Sequence, residues 1–256
     1  MSDENGQFAE AIRSVVDLGE TCVIVHGGGP QIDAALKESG VASSFLGGFR
    51  VTSPEVFSVV QRVLSGDVLR GLVATLRNAG LNAVGLTGRD GGLLLGRKLT
   101  SLPDGTKVEL GRVGEVVHVN SEILTTLLEA GFLPVVSPIA SEGDEISEVS
   151  EAGLNVNADL AAGAIAGELK AETLLFLTDV PGIYRHWPDE TSLIGAINYE
   201  ELRELLPNFS GGMVPKVSAC LNAIERGAKR VRVIDGNDPQ AFALALRGIG
   251  GTVVTA

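Results

Sequence analysis

Thr21-Cys-Val-Ile-Val-His-Gly-Gly-Gly-Pro-Gln31 is the most informative segment of this 256-residue chain for its architecture. Its first five residues are a short apolar run typical of a buried strand. Pro30 suits the first turn of a helix that we predict to reach about Ser39. The three glycines between them let the backbone approach a ligand closely, and their N–H groups with the helix start favour an anion. We therefore predict an anion-binding strand–loop–helix junction, with a plain tight turn as the alternative.

Outward from this junction, strands and helices alternate, which favours a largely parallel sheet covered on both faces. The acidic stretch Ser141–Glu151 predicts an exposed loop and a lobe boundary near residue 150. The predicted helices cover 7–18, 54–79, 156–168, 199–206 and 214–227, with another from Ser121 and one near the C-terminus. The predicted strands cover 83–86, 93–95, 108–119, 133–136, 173–177 and 231–234, with a hairpin turn at 102–105 and a final strand.

Composition narrows the classes of function. Apolar residues make up 45% and aromatic residues only 4%, so we expect an aliphatic core. The net charge of −12 argues against a nucleic-acid partner, because binding to a phosphate backbone relies on clustered Lys and Arg. Cys22 and Cys220 are expected to be small core residues. No apolar stretch is long enough to span a bilayer, and we expect a soluble cytoplasmic protein.

Asn155-Val-Asn-Ala-Asp159 marks a second candidate site, where the acidic loop meets a helix. Either Asn155 or Asn157 can cap that helix, which explains one asparagine without any function. Capping does not explain Asp159, one turn further on.

Leu177-Thr-Asp-Val-Pro-Gly182 marks a third candidate site, at the end of another predicted strand, where open α/β sheets bind ligands. Turn chemistry alone would also account for Asp179 and Gly182. Further on, Lys216 lies at the start of a predicted helix, where a cation is electrostatically disfavoured. An anionic partner nearby would explain that placement.

Phosphoryl transfer needs positioning and charge neutralisation, which backbone N–H groups, Lys or Arg and usually magnesium supply. Gly27–Gly29, Lys216 and Arg50 fit these tasks, and the guanidinium of Arg50 suits two-point binding of a substrate carboxylate. A surface arginine is the alternative for Arg50. The chain has neither G-x-G-x-x-G nor G-x-x-x-x-G-K-[ST], its three histidines lack metal-ligand spacing, and no serine nucleophile elbow is present.

Seven motifs occur in the order found in acetylglutamate kinases, which are members of the amino-acid kinase group, and the chain resembles that family over residues 5–256. The motifs are Val25–Gln31, Gly47-Gly-Phe-Arg-Val-Thr52, Val84–Gly92, Gly131-Phe-Leu-Pro-Val-Val136, Asn155–Asp159, Leu177–Gly182 and Gly211-Gly-Met-Val-Pro-Lys216. The resemblance implies an α/β fold, a three-layer αβα sandwich with a largely parallel central sheet. Residues 1–150 would form an N-terminal lobe for the amino acid and for dimerisation, and residues 151–256 an ATP-binding lobe.

The resemblance also implies a reaction and roles. ATP with Mg²⁺ would phosphorylate the side-chain carboxylate of N-acetyl-L-glutamate, in arginine biosynthesis, within a homodimer or a larger homo-oligomer. Gly28 and Gly29 would hold the phosphoryl group, and Arg50 and Asn155 the acetylglutamate. Asp159 would organise catalytic lysines, and Lys216 would stabilise the transferring phosphoryl group. The nucleotide pocket would use Thr178, Asp179, Gly182, Tyr184 and Ser210.

Two departures from the family pattern carry expectations. Family members open with a strand ending in Lys-x-Gly-Gly, which does not precede Met1 here, and we expect the natural start to lie further upstream. Arginine-inhibited members carry an acidic residue in the last helix, about where Ala245 stands, and we therefore expect no strong inhibition by arginine.

Two alternative functions stay open at this point. Tyr184–Asp189 and the C-terminal Leu246–Thr252 resemble a carrier-protein-linked aminoadipate kinase of lysine biosynthesis. A strongly acidic carrier would, however, favour a basic surface on its kinase. The missing lysine would also fit a non-catalytic sensor of an amino acid or nucleotide.

Overall fold

A computed structural model describes residues 6–102, 105–143, 152–209 and 213–256. The chain forms two compact units. The central unit comprises residues 21–161, and the terminal unit combines residues 1–20 with residues 162–256. The assignment of residues 1–150 to amino-acid binding and dimerisation, and of residues 151–256 to ATP binding, stays a prediction.

The central unit contains five helices and nine strands in its described part, counting the helix that runs across its C-terminal boundary. Helices are numbered in chain order across both units, so α1, Gln7–Asp17, belongs to the terminal unit. The helices of the central unit are α2 Gly29–Glu38, α3 Pro54–Arg62, α4 Leu69–Asn78, α5 Glu122–Glu129 and α6 Ala158–Glu168. The strands are β1 Ile24–Val25, β2 Phe45–Leu46, β3 Phe49–Arg50, β4 Ala83–Thr87, β5 Leu94–Lys98, β6 Val113–Val119, β7 Leu133–Ser137, β8 Ile139–Glu142 and β9 Gly153–Val156.

The remaining elements belong to the terminal unit, together with α1. They are β10 Leu174–Thr178, β11 Ala196–Asn198, α7 Tyr199–Leu205, α8 Met213–Glu225, β12 Arg230–Asp235, α9 Pro239–Leu246 and β13 Thr252–Thr255.

Strands β1, β7 and β4 form a parallel sheet in the central unit, with β7 in the middle. Strand β7 is buried along its whole length, as expected for a parallel strand covered on both faces. Strands β5, β6, β9 and β8 close into a small barrel, and β2 and β3 form a separate hairpin. In the terminal unit the sheet order is β10-β12-β13-β11; β12 and β13 pair antiparallel, and the two outer pairs are parallel.

Several helices begin at a side chain that caps them. Ser53 accepts a hydrogen bond from the Val56 N–H, and Pro54 occupies the first turn of α3. Asn198 caps α7 and Asp238 caps α9 in the same way. The buried side chains are mainly Leu, Val, Ile and Ala, which confirms the aliphatic core. Within the described ranges, no helix has the length and apolarity needed to cross a membrane.

Several elements differ from the predictions; for example, the strand predicted over 108–119 begins only at Val113. The helix predicted over 54–79 is interrupted by a π-helical segment, residues 63–68, where the hydrogen bonding changes from i→i+4 to i→i+5. Strand β1 covers only the last two residues of Thr21–Val25. Ser141 and Glu142 belong to β8 rather than to an exposed loop, and Ser141 is buried, while residues 144–151 lie outside the described residues.

Candidate active site

The glycine loop joins β1 to α2 in the central unit. None of its three glycines has a φ in the left-handed region between about +20° and +160°, so a left-handed backbone conformation does not explain them. Position 28 requires glycine because a Cβ atom there would lie only 2.8 Å from Leu64 Cδ2 and 3.2 Å from Val68 Cγ2. A Cβ on Gly27 would lie 3.7 Å from Ala158 Cβ, and a Cβ on Gly29 would meet no atom within 4 Å. The loop therefore packs against the π-helical segment through Gly28 and lies beside the first residue of α6 through Gly27.

The start of α6 shows which of Asn155 and Asn157 caps the helix. Asn157 Oδ1 accepts hydrogen bonds from the N–H groups of Asp159, at 2.9 Å, and Leu160, at 3.1 Å. Asn157 is therefore the cap, and Asn155 is available for another purpose. Asp159 lies in the first turn of the helix, next in sequence to the residue that neighbours Gly27.

Arg50 is buried, with 8% of its surface exposed, so the alternative of an ordinary surface arginine is wrong. Its Nη1 donates to Asp33 Oδ1 at 2.7 Å and to Ser43 Oγ at 2.8 Å. Its guanidinium lies over the Phe45 ring, with Cζ 4.5 Å from the ring centroid. Both bonds use one nitrogen, and the Nε and Nη2 donors have no hydrogen-bond partner within the described part of the chain. The side chain is thus fixed in orientation while much of its donor capacity remains available.

Thr52 joins Arg50 to Asn155. Its hydroxyl donates to the Arg50 carbonyl oxygen at 2.7 Å and accepts from Asn155 Nδ2 at 3.1 Å. The Thr52 backbone N–H donates to Leu110 O, and its carbonyl oxygen accepts from the Arg112 N–H. Thr52 is fully buried, so this arrangement is held away from water. The two residues predicted to bind the amino acid are therefore connected through one buried hydroxyl group.

In the terminal unit, Lys216 has an anionic partner, the carboxylate of Asp179. Lys216 lies in the first turn of α8, and its Nζ is 3.1 Å from Asp179 Oδ1. The hydrogen bond from Lys216, and then its charge, hold the pKa of the Asp179 carboxyl below its usual value. Asp179 is largely exposed and Lys216 is more enclosed. This pair follows the carboxyl end of β10, where parallel strands present ligand-binding loops.

The other predicted nucleotide-pocket residues described in the structure lie at the end of β10 and just after it. Thr178 Oγ1 accepts from the Val180 N–H at 3.2 Å and lies 2.9 Å from Val180 O, which fixes the turn. A Cβ on Gly182 would lie 2.5 Å from Thr252 Oγ1, the atom that also accepts from the Ile183 N–H. Gly182 is therefore needed for close packing on β13.

Tyr184 is buried and makes an edge-to-face contact with Trp187, at 5.2 Å between ring centroids. Burial first, and then the charges of Glu190 and Asp235, raise the pKa of the Tyr184 hydroxyl. Ser210, the last predicted pocket residue, lies outside the described residues.

The structure brings together Gly27–Gly29 with the start of α6, Arg50 with Asn155, and Lys216 with Asp179. The sequence did not reveal Asp33, Ser43 or Thr52 as supporting residues. Thr52 belongs to the quoted Gly47–Thr52 motif, but its role depends on a contact with a residue 103 positions away. No group of three or more His, Cys, Asp and Glu side chains able to hold a metal occurs among the residues described.

Comparison with known proteins identifies the class of molecule. The profile of the amino acid kinase family matches residues 1–235. An acetylglutamate kinase of Arthrobacter sp. (strain FB24) is 46% identical over 250 residues, a match that covers 96% of this chain and 81% of the relative. An acetylglutamate kinase of Corynebacterium jeikeium (strain K411) is 47% identical over 244 residues, covering 95% and 75% of the two chains.

A solved structure supports the fold. The carbamate kinase of Giardia lamblia bound to AMP-PNP superposes with a TM-score of 0.70 over 98% of this chain and 88% of that one. At 20% sequence identity, this similarity concerns the fold alone. The predicted α/β class is confirmed by the family match and by this neighbour.

Proposed function

The chain belongs to the amino acid kinase family, and from that premise we propose that it is an acetylglutamate kinase of arginine biosynthesis. One oxygen of the N-acetyl-L-glutamate side-chain carboxylate attacks the γ-phosphorus of ATP. A new P–O bond forms, the bond to the ADP oxygen breaks, and the products are the acyl phosphate and ADP. The observation that carries this proposal is the identity of 46–47% with two acetylglutamate kinases along almost the whole chain.

Arg50 and Asn155 are the proposed acetylglutamate ligands. Arg50 is buried, oriented by Asp33 and Ser43, and retains donors suited to two-point binding of a carboxylate. Asn155 can offer both an amide donor and a carbonyl acceptor to the substrate amide. Because Thr52 connects the two, their separation is fixed before the substrate arrives, which reduces the entropy lost on binding.

Gly28 and Gly29 are the proposed binding groups for the transferring phosphoryl. Their N–H groups lie at the start of α2, where the helix dipole and unpaired donors favour negative charge. Lys216 would stabilise charge on the phosphoryl oxygens, and Asp159 would orient a cationic side chain. Such preorganised donors are generally the largest contribution to phosphoryl-transfer catalysis.

The proposed nucleotide pocket uses Thr178, Asp179, Gly182, Tyr184 and Ser210. We propose that ATP phosphates take over Lys216 from Asp179, whose exposed carboxylate can then turn to solvent. A magnesium ion would supply further neutralisation of phosphate charge. We would expect phosphate oxygens and water to provide most of its ligands, because magnesium usually uses only one or two protein carboxylates.

The proposal extends to assembly and location. We propose a cytoplasmic homodimer or larger homo-oligomer, with residues 1–150 providing the dimerisation and amino-acid-binding lobe and residues 151–256 the nucleotide-binding lobe.

A hydroxamate assay tests this function, because hydroxylamine traps an acyl phosphate. We expect ATP-dependent product with N-acetyl-L-glutamate and little with glutamate or aminoadipate. Calorimetry with acetylglutamate and ATP runs beside it. Product formed from carrier-bound aminoadipate instead, or binding of both ligands with no turnover, would contradict the proposal. The first result supports the carrier-linked kinase and the second a sensor.

A further inference from the structure

His26 is a buried polar residue between β1 and the glycine loop, and the proposed function does not use it. Only 9% of its surface is exposed, and its backbone N–H extends the β1–β7 pairing by donating to Val136 O at 3.2 Å. Its ring Nδ1 lies 2.9 Å from the carbonyl oxygen of Gly27. A carbonyl oxygen can only accept, so Nδ1 carries the hydrogen and donates it. The contact thus determines which ring nitrogen is protonated.

The group that His26 holds is the peptide bond that carries the Gly28 N–H. The Gly27 carbonyl and the Gly28 N–H belong to one planar peptide unit, so fixing the direction of one fixes the other. Other contacts restrain the far side of this unit. Leu64 and Val68 leave no room for a Cβ on Gly28, and the Gly28 carbonyl oxygen accepts from the Ile32 N–H at 2.9 Å. The direction of the Gly28 N–H is therefore set from both ends of the residue.

The ring is suited to this task because it is neutral. Burial lowers the pKa of His26, and the hydrogen bond to Gly27 opposes this only in part. Nε2 has no hydrogen-bond partner in the described ranges. Protonation would place an unsatisfied N–H and a charge there, in a buried position, which is costly. At neutral pH the ring consequently offers one donor, Nδ1–H.

We propose that His26 is a positioning residue for phosphoryl transfer, which orients the Gly27–Gly28 peptide so that the Gly28 N–H faces the transferring phosphoryl group. This inference rests on the proposed function, since it assumes that an anion binds at Gly28. It assigns to His26 a role through the backbone rather than contact with a substrate. Hydrogen bonds that orient metal ligands cost about 10- to 100-fold in activity when lost, and we expect a loss of similar size here.

Two substitutions separate positioning from general core packing. The side-chain amide nitrogen of His26→Asn can replace Nδ1, whereas that of His26→Gln takes the place of Nε2. We expect kcat of His26→Asn to stay within about threefold of wild type, and that of His26→Gln to fall about 10- to 100-fold, with KM for acetylglutamate nearly unchanged in both. The exposed His118 on β6 provides the control His118→Asn, for which no change is expected.

Nitrogen-15 NMR of the histidine rings gives a readout that does not depend on turnover. The chain has three histidines, so comparing wild type with His26→Asn assigns the His26 signals. We expect a neutral ring protonated at Nδ1. A ring protonated at Nε2, equal kcat values for the Asn and Gln variants, or loss of cooperative unfolding in both would overturn the inference. Absence of acetylglutamate-dependent turnover in the wild-type chain would instead overturn the proposed function.

Discussion

Replacing Arg50 by lysine tests the substrate end of the proposed site most directly. Lysine keeps the positive charge and can still reach towards Asp33, but it lacks the planar fork. In the structure Nη1 of the guanidinium donates to Asp33 and Ser43, and Cζ lies over the Phe45 ring. The donors that remain are the ones that we propose for the acetylglutamate carboxylate. Lysine has no second donor pointing in that fixed direction.

The expected magnitude follows from the bonds lost. One charge-assisted hydrogen bond to the substrate is worth about 1.5–3 kcal/mol. At 1.4 kcal/mol per tenfold, KM for acetylglutamate should rise about 10- to 150-fold. Because this contact is present in both ground and transition states, kcat should change little. Loss of the stacking on the exposed Phe45 ring should cost about 0.5–1 kcal/mol, or a few degrees in Tm.

The hydroxamate assay, run over a range of each substrate, measures these effects. Arg77→Lys, at an exposed position near the end of α4, is the matched control and should leave both KM values unchanged. If Arg50→Lys left KM for acetylglutamate within about twofold of wild type, or raised KM for ATP by the same factor, Arg50 would not be the carboxylate ligand.

Three further predictions concern the glycine loop and the Lys216–Asp179 pair. Lys216→Met should lower kcat about 10²- to 10³-fold, as the loss of one preorganised donor does, and a kcat within tenfold of wild type would argue against its role. Gly28→Ala should lower the free energy of unfolding by about 1–3 kcal/mol through its clash with Leu64, and a Leu64→Ala background should remove most of that cost in denaturant titrations; additive effects would contradict the packing argument. Asp179→Asn should lower the free energy of unfolding by less than about 1 kcal/mol at neutral pH, because the Asp179 carboxylate is largely exposed. The pKa of Asp179 is lowered in the folded state, so this contribution is present above the ordinary carboxyl pKa and disappears as pH falls through the folded-state value; a difference that grows with acidity would refute the pairing.

The sequence predicted the parts of the fold that depend on local signals. Pro30 and the preceding glycines located the start of α2, and Asn157 was one of two caps foreseen for α6. The barrel strands β8 and β9 were not predicted, because they flank an acidic run whose composition indicates a loop. The π-helical segment was also missed, since residues 63–68 continue a helix and no residue type marks the change from α- to π-helical hydrogen bonding.

The support around the site depends on contacts that no local pattern reveals. Arg50 lies in a short hairpin whose sequence gives no sign that the guanidinium is buried between Asp33 and Phe45. The partner of Lys216 was inferred only as an unnamed anion, because Asp179 is 37 positions away in the sequence. Pairings at such separations are fixed by strand order rather than by neighbouring residues.

The hydroxyl of Thr52 has a consequence for how this active site can evolve. Because it links the backbone of Arg50 to the side chain of Asn155, the distance between the two proposed substrate ligands is fixed. In a protein adapting to a longer or shorter acidic substrate, moving either ligand alone would break its hydrogen bond to Thr52. We therefore expect positions 50, 52 and 155 to change together among relatives that phosphorylate different acceptors, and single replacements at any one of them to be rare.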